Sequence, residues 1–172
     1  MPAATHSARL SYARLSIEQL DAFHSLVQDA HVRQYMMDGE IMPREWSEER
    51  IRASDALFER RGVGLWLASM SSTRELVGFC GFLEIPSLDP EPQLAYALFE
   101  RFAGRGLGTE MACTMIRMAR ETAGFAEIVA GVDAVNQASC RILDKLGFSR
   151  VKTVPGAFGD AYVYRLSAES GV

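Results

Sequence analysis

The apolar positions change period twice along the chain, and those changes divide it into helical and extended stretches. Residues 9–14 read as a short first strand. Ser16 with Gln19 forms a capping-box signature, and Leu20, Phe23, Leu26 and Val27 then recur at helical spacing, predicting a helix to about Ala30. A shorter helical stretch covers Val32 to Met37 and stops at Gly39. Ser47 is expected to open a third helix, with Ala53, Ala56 and Leu57 on one face and Ile51 and Phe58 on the other. After Gly64 the period becomes that of strands. Leu65 to Met70, Glu75 to Ile85 and Gln93 to Phe99 predict an antiparallel meander, joined by the Ser71-Ser72-Thr73-Arg74 hairpin connection and the Pro86 to Pro92 loop. Helical spacing returns from Leu107 to about Thr122, with Leu107, Met111, Met115 and Met118 on one stripe. Ile128 to Val132 then reads as a buried strand, Asn136 to Leu146 as a helix stopped by Gly147, and two last strands bracket a turn over Gly156 to Asp160. This order predicts an α+β fold: antiparallel strands around one strand-helix-strand crossover.

Composition narrows the class without naming a function. With 172 residues, 48% hydrophobic and 23% charged, the chain is expected to form one domain over 1–172. A chain of that size buries about 70% of its unfolded surface and needs no disulfide or metal as a staple. Eighteen Lys plus Arg against 22 Asp plus Glu give a net charge of -4, which supplies no broad basic footprint and argues against DNA as a partner, although a local patch could still hold a phosphate. Cys80, Cys113 and Cys140 are odd in number, widely spaced and set among apolar residues, so neither a disulfide framework nor a zinc site is expected. That usage suits a reducing, cytoplasmic location. The uncharged run from Gly62 to Thr73 is too short and too Ser-rich to span a bilayer. Arg9 and Arg14 without an acid in the first fourteen residues faintly resemble a transit peptide, but the same residues are needed for the first strand.

Chemistry concentrates between Leu98 and Glu110, where a strand end runs through Gly104-Arg105-Gly106-Leu107-Gly108-Thr109 into a helix. Glycine at every second position lets backbone approach a ligand closely. The helix start adds unpaired N–H groups and the positive end of its dipole, a setting for a phosphate or pyrophosphate, and Arg105 could add a charge-assisted hydrogen bond. The bland alternative is a tight strand-to-helix turn. A nucleotide triphosphate loop lacks its Gly-Lys-Ser/Thr ending, and a dinucleotide fingerprint wants Gly-x-Gly-x-x-Gly. Asp133 does sit where a ribose-binding acid would lie, but a single crossover is too little for a doubly wound sheet.

The stretch from Val132 to Phe148 completes the picture. With the glycine turn, Arg9-Leu10, the strand Gln93-Leu94-Ala95-Tyr96-Ala97-Leu98, Asn136-x-x-Ser139 and Leu146-Gly147-Phe148, the chain closely resembles the GNAT superfamily of acyl-CoA-dependent N-acyltransferases, and within it the branch of ribosomal-protein N-terminal acetyltransferases. The resemblance covers most of the chain. It implies a mixed, mostly antiparallel twisted sheet of about seven strands with helices on both faces. It also implies acetyl-CoA in a cleft where the 93–99 strand splays from the 128–132 strand. Backbone groups near Leu98 and Phe99 would then pair with the pantetheine arm, the N–H groups of Gly104, Arg105, Gly106, Leu107, Gly108 and Thr109 would hold the pyrophosphate, Asn136 would bond the pantetheine side, and Ser139 would lie near the thioester sulfur. The partner implied is an amine acceptor, a peptide N-terminus or a small molecule; a homodimer stays open, and no metal is implied.

The sequence also departs from that family. Ala103 stands where the loop often begins with Gln or Arg. Leu143 takes the place of the tyrosine that protonates the departing thiolate in many members, which leaves Ser139 as the candidate acid, against an ordinary helix serine bonded to local backbone. Gln93 replaces the glutamate often found three residues before the central-strand tyrosine, so Glu84 becomes the first candidate base and Glu91 the second, with His24 and His31 as alternatives. Tyr35, Met36, Met42 and Trp46 could line an acceptor pocket, with Asp38 and Glu40 attracting a cation; for Met36 and Met37 the competing reading is ordinary packing. Cys140 has no histidine near it in sequence and is a poor covalent nucleophile. The expected activity is acetyl transfer to a primary amine by direct attack. The competing readings are an acyl-CoA-binding sensor without catalysis and a nicotinamide-dinucleotide binder.

Overall fold

Local signals decide where the elements start and stop. A computed structural model describes residues 5–156 and 158–169. The Ser16 N–H donates to Gln19 Oε1 at 3.0 Å, and a short 3-10 turn over Ile17–Gln19 leads into helix α1, Leu20–Gln28. The helix ends before Ala30 because Asp29 leaves helical geometry and its carboxylate accepts the N–H groups of His31 and Val32, capping a new helix, α2, Ala30–Met36. Helix α3, Arg44–Arg61, starts after Pro43 and ends on Gly62 at φ +73°. Its buried face corrects the expected one. Ser47, Ile51, Ser54 and Leu57 are buried, whereas Ala53 and Ala56 are exposed. Two serines occupy inward positions because each is satisfied there: Ser47 Oγ pairs with His24 Nδ1 at 2.8 Å, and Ser54 Oγ accepts the Leu65 N–H at 2.8 Å.

The strands are β1 (Thr5–His6), β2 (Leu10–Arg14), β3 (Leu65–Met70), β4 (Leu76–Leu83), β5 (Gln93–Leu98), β6 (Ile128–Asp133), β7 (Ser149–Val154) and β8 (Ala161–Leu166). Among the described residues they form one sheet in the order β1-β2-β3-β4-β5-β6-β8-β7. That makes eight strands where about seven were expected, the addition being the two-residue β1, too short to carry a period. Helix α4, Leu107–Ala123, crosses from β5 to β6, and α5, Gln137–Lys145, follows β6. The expected turn over 156–160 includes residue 157, which lies outside the described residues.

β5 and β6 form the one parallel pair among these strands, so a doubly wound dinucleotide fold is excluded. The two faces of the sheet are covered by different helices. Leu94, Tyr96, Leu98, Ala130 and Val132 pack with Leu107, Met111 and Met115 of α4 and with Leu143 of α5. Ala97, Leu65, Leu67 and Phe79 pack with Phe23 and Leu26 of α1, Val32 of α2 and Ile51 of α3.

Candidate active site

β5 and β6 are in register at only two positions, Gln93 with Val129 and Leu94 with Ala130, and beyond them they diverge. On its other side β5 stays paired to β4 as far as Leu98. The Phe99 N–H donates to Val77 O at 3.0 Å, so Phe99, Ala97 and Ala95 turn their backbone groups toward β4, and Tyr96 and Leu98 turn theirs into the gap. The carbonyl of Phe99 is also taken, by the Phe102 N–H at 2.9 Å. Leu98 therefore offers an open backbone edge and Phe99 does not.

The gap opens into a cavity of about 860 Å³. Of the residues expected to bind a cofactor, Leu98, Gly104, Gly106, Leu107, Gly108, Thr109, Asn136 and Ser139 line it; Phe99 and Arg105 do not. Gly104 and Gly106 sit at φ +73° and +76°, conformations that cost an L-residue energy, and Gly106 is the N-cap of α4. Leu107, Gly108 and Thr109 carry the first N–H groups of that helix, which the helix itself cannot satisfy. A Cβ on Gly108 would meet Ile142 Cδ1 at 3.3 Å and Leu98 Cδ2 at 3.6 Å, so glycine there lets the helix start sit tightly against β5 and α5. The Arg105 guanidinium lies over the Phe102 ring at 5.6 Å, while its carbonyl accepts from Arg9 Nη1 at 2.8 Å. The cations that line the cavity are Arg141 and Lys145, one helical turn apart on α5. The glycine motif drew attention to Arg105 and away from them, although their i,i+4 spacing after Asn136 was a readable signal.

Asn136 caps α5 by accepting the Ser139 N–H on Oδ1 at 3.2 Å, which leaves its amide nitrogen to donate. Among the described residues the Ser139 hydroxyl has no backbone partner, and it faces the cavity near Tyr96. Tyr96 Oη is buried with no partner in hydrogen-bond geometry among the described residues. Burial pushes the Tyr96 phenol up to about 12, and the nearby Ser139 hydroxyl pulls it back only in part. The importance of that hydroxyl was not readable from the sequence, because strand alternation marks Tyr96 only as apolar packing. Leu143 is buried in the core beside α4, and Cys140, also buried, does not line the cavity.

Three of the four expected bases lie outside the cavity. Glu84 is not a cavity residue; both of its oxygens are held by Arg60 of α3, at 2.9 and 3.4 Å. Glu91 is paired through one oxygen with Arg61 at 2.7 Å. His24 ties α1 to α3 through Ser47. His31 does line the cavity. Gln93 is almost fully buried and works as a staple: its Oε1 accepts the Ile85 N–H at 2.7 Å, and its Nε2 donates to the carbonyls of Asp89, at 2.9 Å, and of Glu91. A glutamate could not serve all of these groups, because two of them need a donor. The acceptor wall is partly as expected: Tyr35, Met36 and Asp38 line the cavity, Met37 is core, Met42 and Trp46 pack under the helices, and Glu40 is exposed away from it. Asp38 is joined there by Asp133, whose carboxyl is raised by burial and then by the Asp38 charge. Among the described residues no group of three or more His, Cys, Asp or Glu is placed to hold a metal ion, and no helix is long and apolar enough to cross a membrane.

A strand that parts from its parallel neighbour above a glycine-rich helix start is the architecture of one acetyltransferase class. The family model described as the acetyltransferase (GNAT) domain matches residues 9–149, and the chain belongs to that family. It is 24% identical over 143 residues to the Bacillus subtilis N-acetyltransferase YoaA, itself uncharacterized, covering 83% of this chain and 80% of that one. The fold is similar to that of the acetyltransferase from Agrobacterium tumefaciens, with TM-score 0.80 and 22% identity over 96% of this chain and 94% of the other. It is also similar to that of RimL, a ribosomal L7/L12 alpha-N-protein acetyltransferase in complex with coenzyme A, with TM-score 0.77 and 19% identity over 96% and 97% of the two chains.

Proposed function

We propose that this protein transfers an acetyl group from acetyl-CoA to a primary amine by direct attack in a ternary complex, as one domain over residues 1–172. The observation that carries this is the divergence of β5 from β6 beyond Leu94 and Ala130, which opens a passage between the α4/α5 face of the sheet and the α2 face. Acetyl-CoA would enter on the α4/α5 face. There the N–H groups of Leu107, Gly108 and Thr109 and the glycines before them meet its pyrophosphate, and Arg141 and Lys145 add positive charge. The Leu98 backbone edge and the Asn136 amide take the pantetheine arm, which brings the thioester to Ser139 and Tyr96.

The Ser139 hydroxyl hydrogen-bonds the sulfur as the thiolate leaves, while the proton that ends there comes from the amine. Neither hydroxyl gives up its own proton: a phenol at about 12 facing a thiolate of ordinary pKa about 8.5 would transfer its proton at a cost of about 5 kcal/mol, and an aliphatic alcohol such as Ser139 is a weaker acid still. Tyr96 stays a neutral hydroxyl beside Ser139, free to donate to the bound thioester end. No acyl-enzyme forms, since Cys140 is buried and turned from the cavity. The test is CoA thiol release from acetyl-CoA across a panel of amines and N-terminal peptides, with thermal shift by CoA measured alongside. Release that depends on the amine supports transfer. Tight CoA binding with no release for any amine would make the protein a sensor, in keeping with Leu143 and Gln93 at the usual acid and base positions.

A further inference from the structure

With Glu84 and Glu91 held in ion pairs, the carboxylates that line the cavity are Asp38 and Asp133. Asp133 ends β6 three residues past Ala130, and Ala130 is in register with Leu94, so Asp133 stands across the gap at the level of Ala97. Ile128, Ala130 and Val132 bury their side chains on the α4 face, which turns Val129, Gly131 and Asp133 to the α2 face. Contacts agree with this alternation. A Cβ on Gly131 would lie 2.6 Å from Leu88 Cδ1, and Asp38, in the loop after α2 at φ +52°, is close enough for its charge to act on Asp133.

The floor between these elements is made of small residues, Ala95, Ala97 and Gly131, so the passage stays open on the α2 side. The titratable groups toward this face are Asp38 from the α2–α3 loop, His31 and Tyr35 from α2, Asp160 next to the β8 partner Ala161, and Lys152 of β7, whose Nζ donates to the Leu88 carbonyl at 2.9 Å; β5 contributes none on that face. Arg141 and Lys145, the cavity's cations, stand on α5 at the other face. A carboxyl raised by burial and by a neighbouring carboxylate at the mouth of a passage is relieved by a cation. The buried and unpartnered Tyr96 hydroxyl marks the far end of the same passage.

We propose that Asp133 is a catalytic residue that binds the acceptor ammonium and takes its proton, and that Asp38 beside it selects amines without a neighbouring carboxylate: peptide N-termini, amino-acid amides and alkyl amines, but not free α-amino acids. The proposal rests on the acetyl-transfer reading. The ammonium gives its first proton to the Asp133 carboxylate. The neutral nitrogen then attacks the thioester carbon, the N–C bond forms, and the C–S bond breaks with its electron pair on sulfur. The second nitrogen proton ends on that sulfur, giving N-acetyl amine and CoA thiol, and Asp133 returns its proton to solvent.

The test compares alanine with alaninamide as acceptors for the wild type, Asp133→Asn, Asp133→Glu and Asp38→Asn. The wild type should prefer the amide roughly tenfold or more in kcat/KM, and Asp38→Asn should bring the ratio to about threefold or less; comparing the two ratios removes the intrinsic difference between the amines. Asp133→Asn should lower kcat on the order of a hundredfold, within the range for a lost acid–base group. Its KM for acetyl-CoA should stay within about twofold, and Asp133→Glu should restore part of kcat. The acidic limb of the wild-type pH–kcat/KM profile should lie above the ordinary aspartate value of 3.8 and move down in Asp38→Asn. Retention of kcat in Asp133→Asn, or equal use of alanine and its amide by the wild type, overturns the proposal while leaving acetyl transfer standing. Failure of the wild type to bind acetyl-CoA, or to consume it with any amine, overturns both.

Discussion

Arg9 grips Glu110 at both oxygens: its Nε donates to Oε2 at 2.7 Å and its backbone N–H to Oε1 at 2.8 Å. The Ser7 hydroxyl adds a bond to Oε1 at 2.6 Å, and Arg9 Nη1 reaches on to the Arg105 carbonyl at 2.8 Å. The segment entering β2 is thereby fastened to the glycine loop and the first turn of α4, about one hundred residues later. Burial pushes the Glu110 carboxyl up, but the bonds from Ser7 and Arg9 outweigh it and hold the group below its ordinary value of 4.5.

A carboxyl held low in the fold stabilises it above the unfolded pKa and loses that contribution as pH falls through the folded value. Glu110→Gln is therefore expected to lose about 1.5–3 kcal/mol at neutral pH, the range for hydrogen bonds to a charged group. Urea melts at pH 7 and below pH 4 check this. The gap between variant and wild type should shrink at the lower pH, and an equal gap at both would count against the carboxylate as the cause.

Gly106 has φ +76°, so any side chain there adds strain, and charge has to be separated from it. Gly106→Ala carries the strain alone; Gly106→Asp adds a carboxylate where the pyrophosphate is proposed to sit. CoA affinity measured by calorimetry should fall in both, and further in the aspartate variant by about tenfold. Equal losses would move the phosphate site away from the helix start.

Tyr96→Phe removes a buried hydroxyl that has no partner in the free protein. The variant is expected to be as stable as the wild type or up to about 1–3 kcal/mol more stable, because an unsatisfied group no longer has to be desolvated. Turnover should fall all the same. Ser139→Ala should fall further in kcat, by roughly a hundredfold, with CoA affinity preserved. Stopped-flow thiol release and thermal melts on the same preparations separate the two effects.

Gln93→Glu puts a carboxylate at the start of β5, but it is not expected to supply a base. It would set a carboxylate against the carbonyls of Asp89 and Glu91, which now accept from the Gln93 amide. A destabilisation of about 3 kcal/mol or more is expected, as for other unpaired buried charges. A stable and more active variant would show that the 85–92 loop does not depend on this staple.

The candidate site was legible in the sequence where it is built from consecutive residues. Gly104 to Thr109 announce themselves because positive φ and free N–H groups are properties of the local chain, and the Asn136 cap with Ser139 three residues on is equally local. Glu84 misled because proximity in sequence to a strand end does not say which way a carboxylate turns. Arg60, 24 residues earlier, decides that. The face of α3 was obscure for a related reason: Ser47 and Ser54 look like surface residues until His24 and the Leu65 N–H are brought to them.

The sequence by itself determined the element order, the strand-helix-strand crossover and the glycine turn, since these follow from hydrophobic period and backbone preference over short windows. Tertiary structure decided what those elements do together. The parting of β5 from β6 after two register pairs, the unpartnered Tyr96 hydroxyl and the meeting of Asp38 with Asp133 all join residues distant in the chain. Desolvation and charge act through space, so they exist only once the sheet has brought those groups to one cavity.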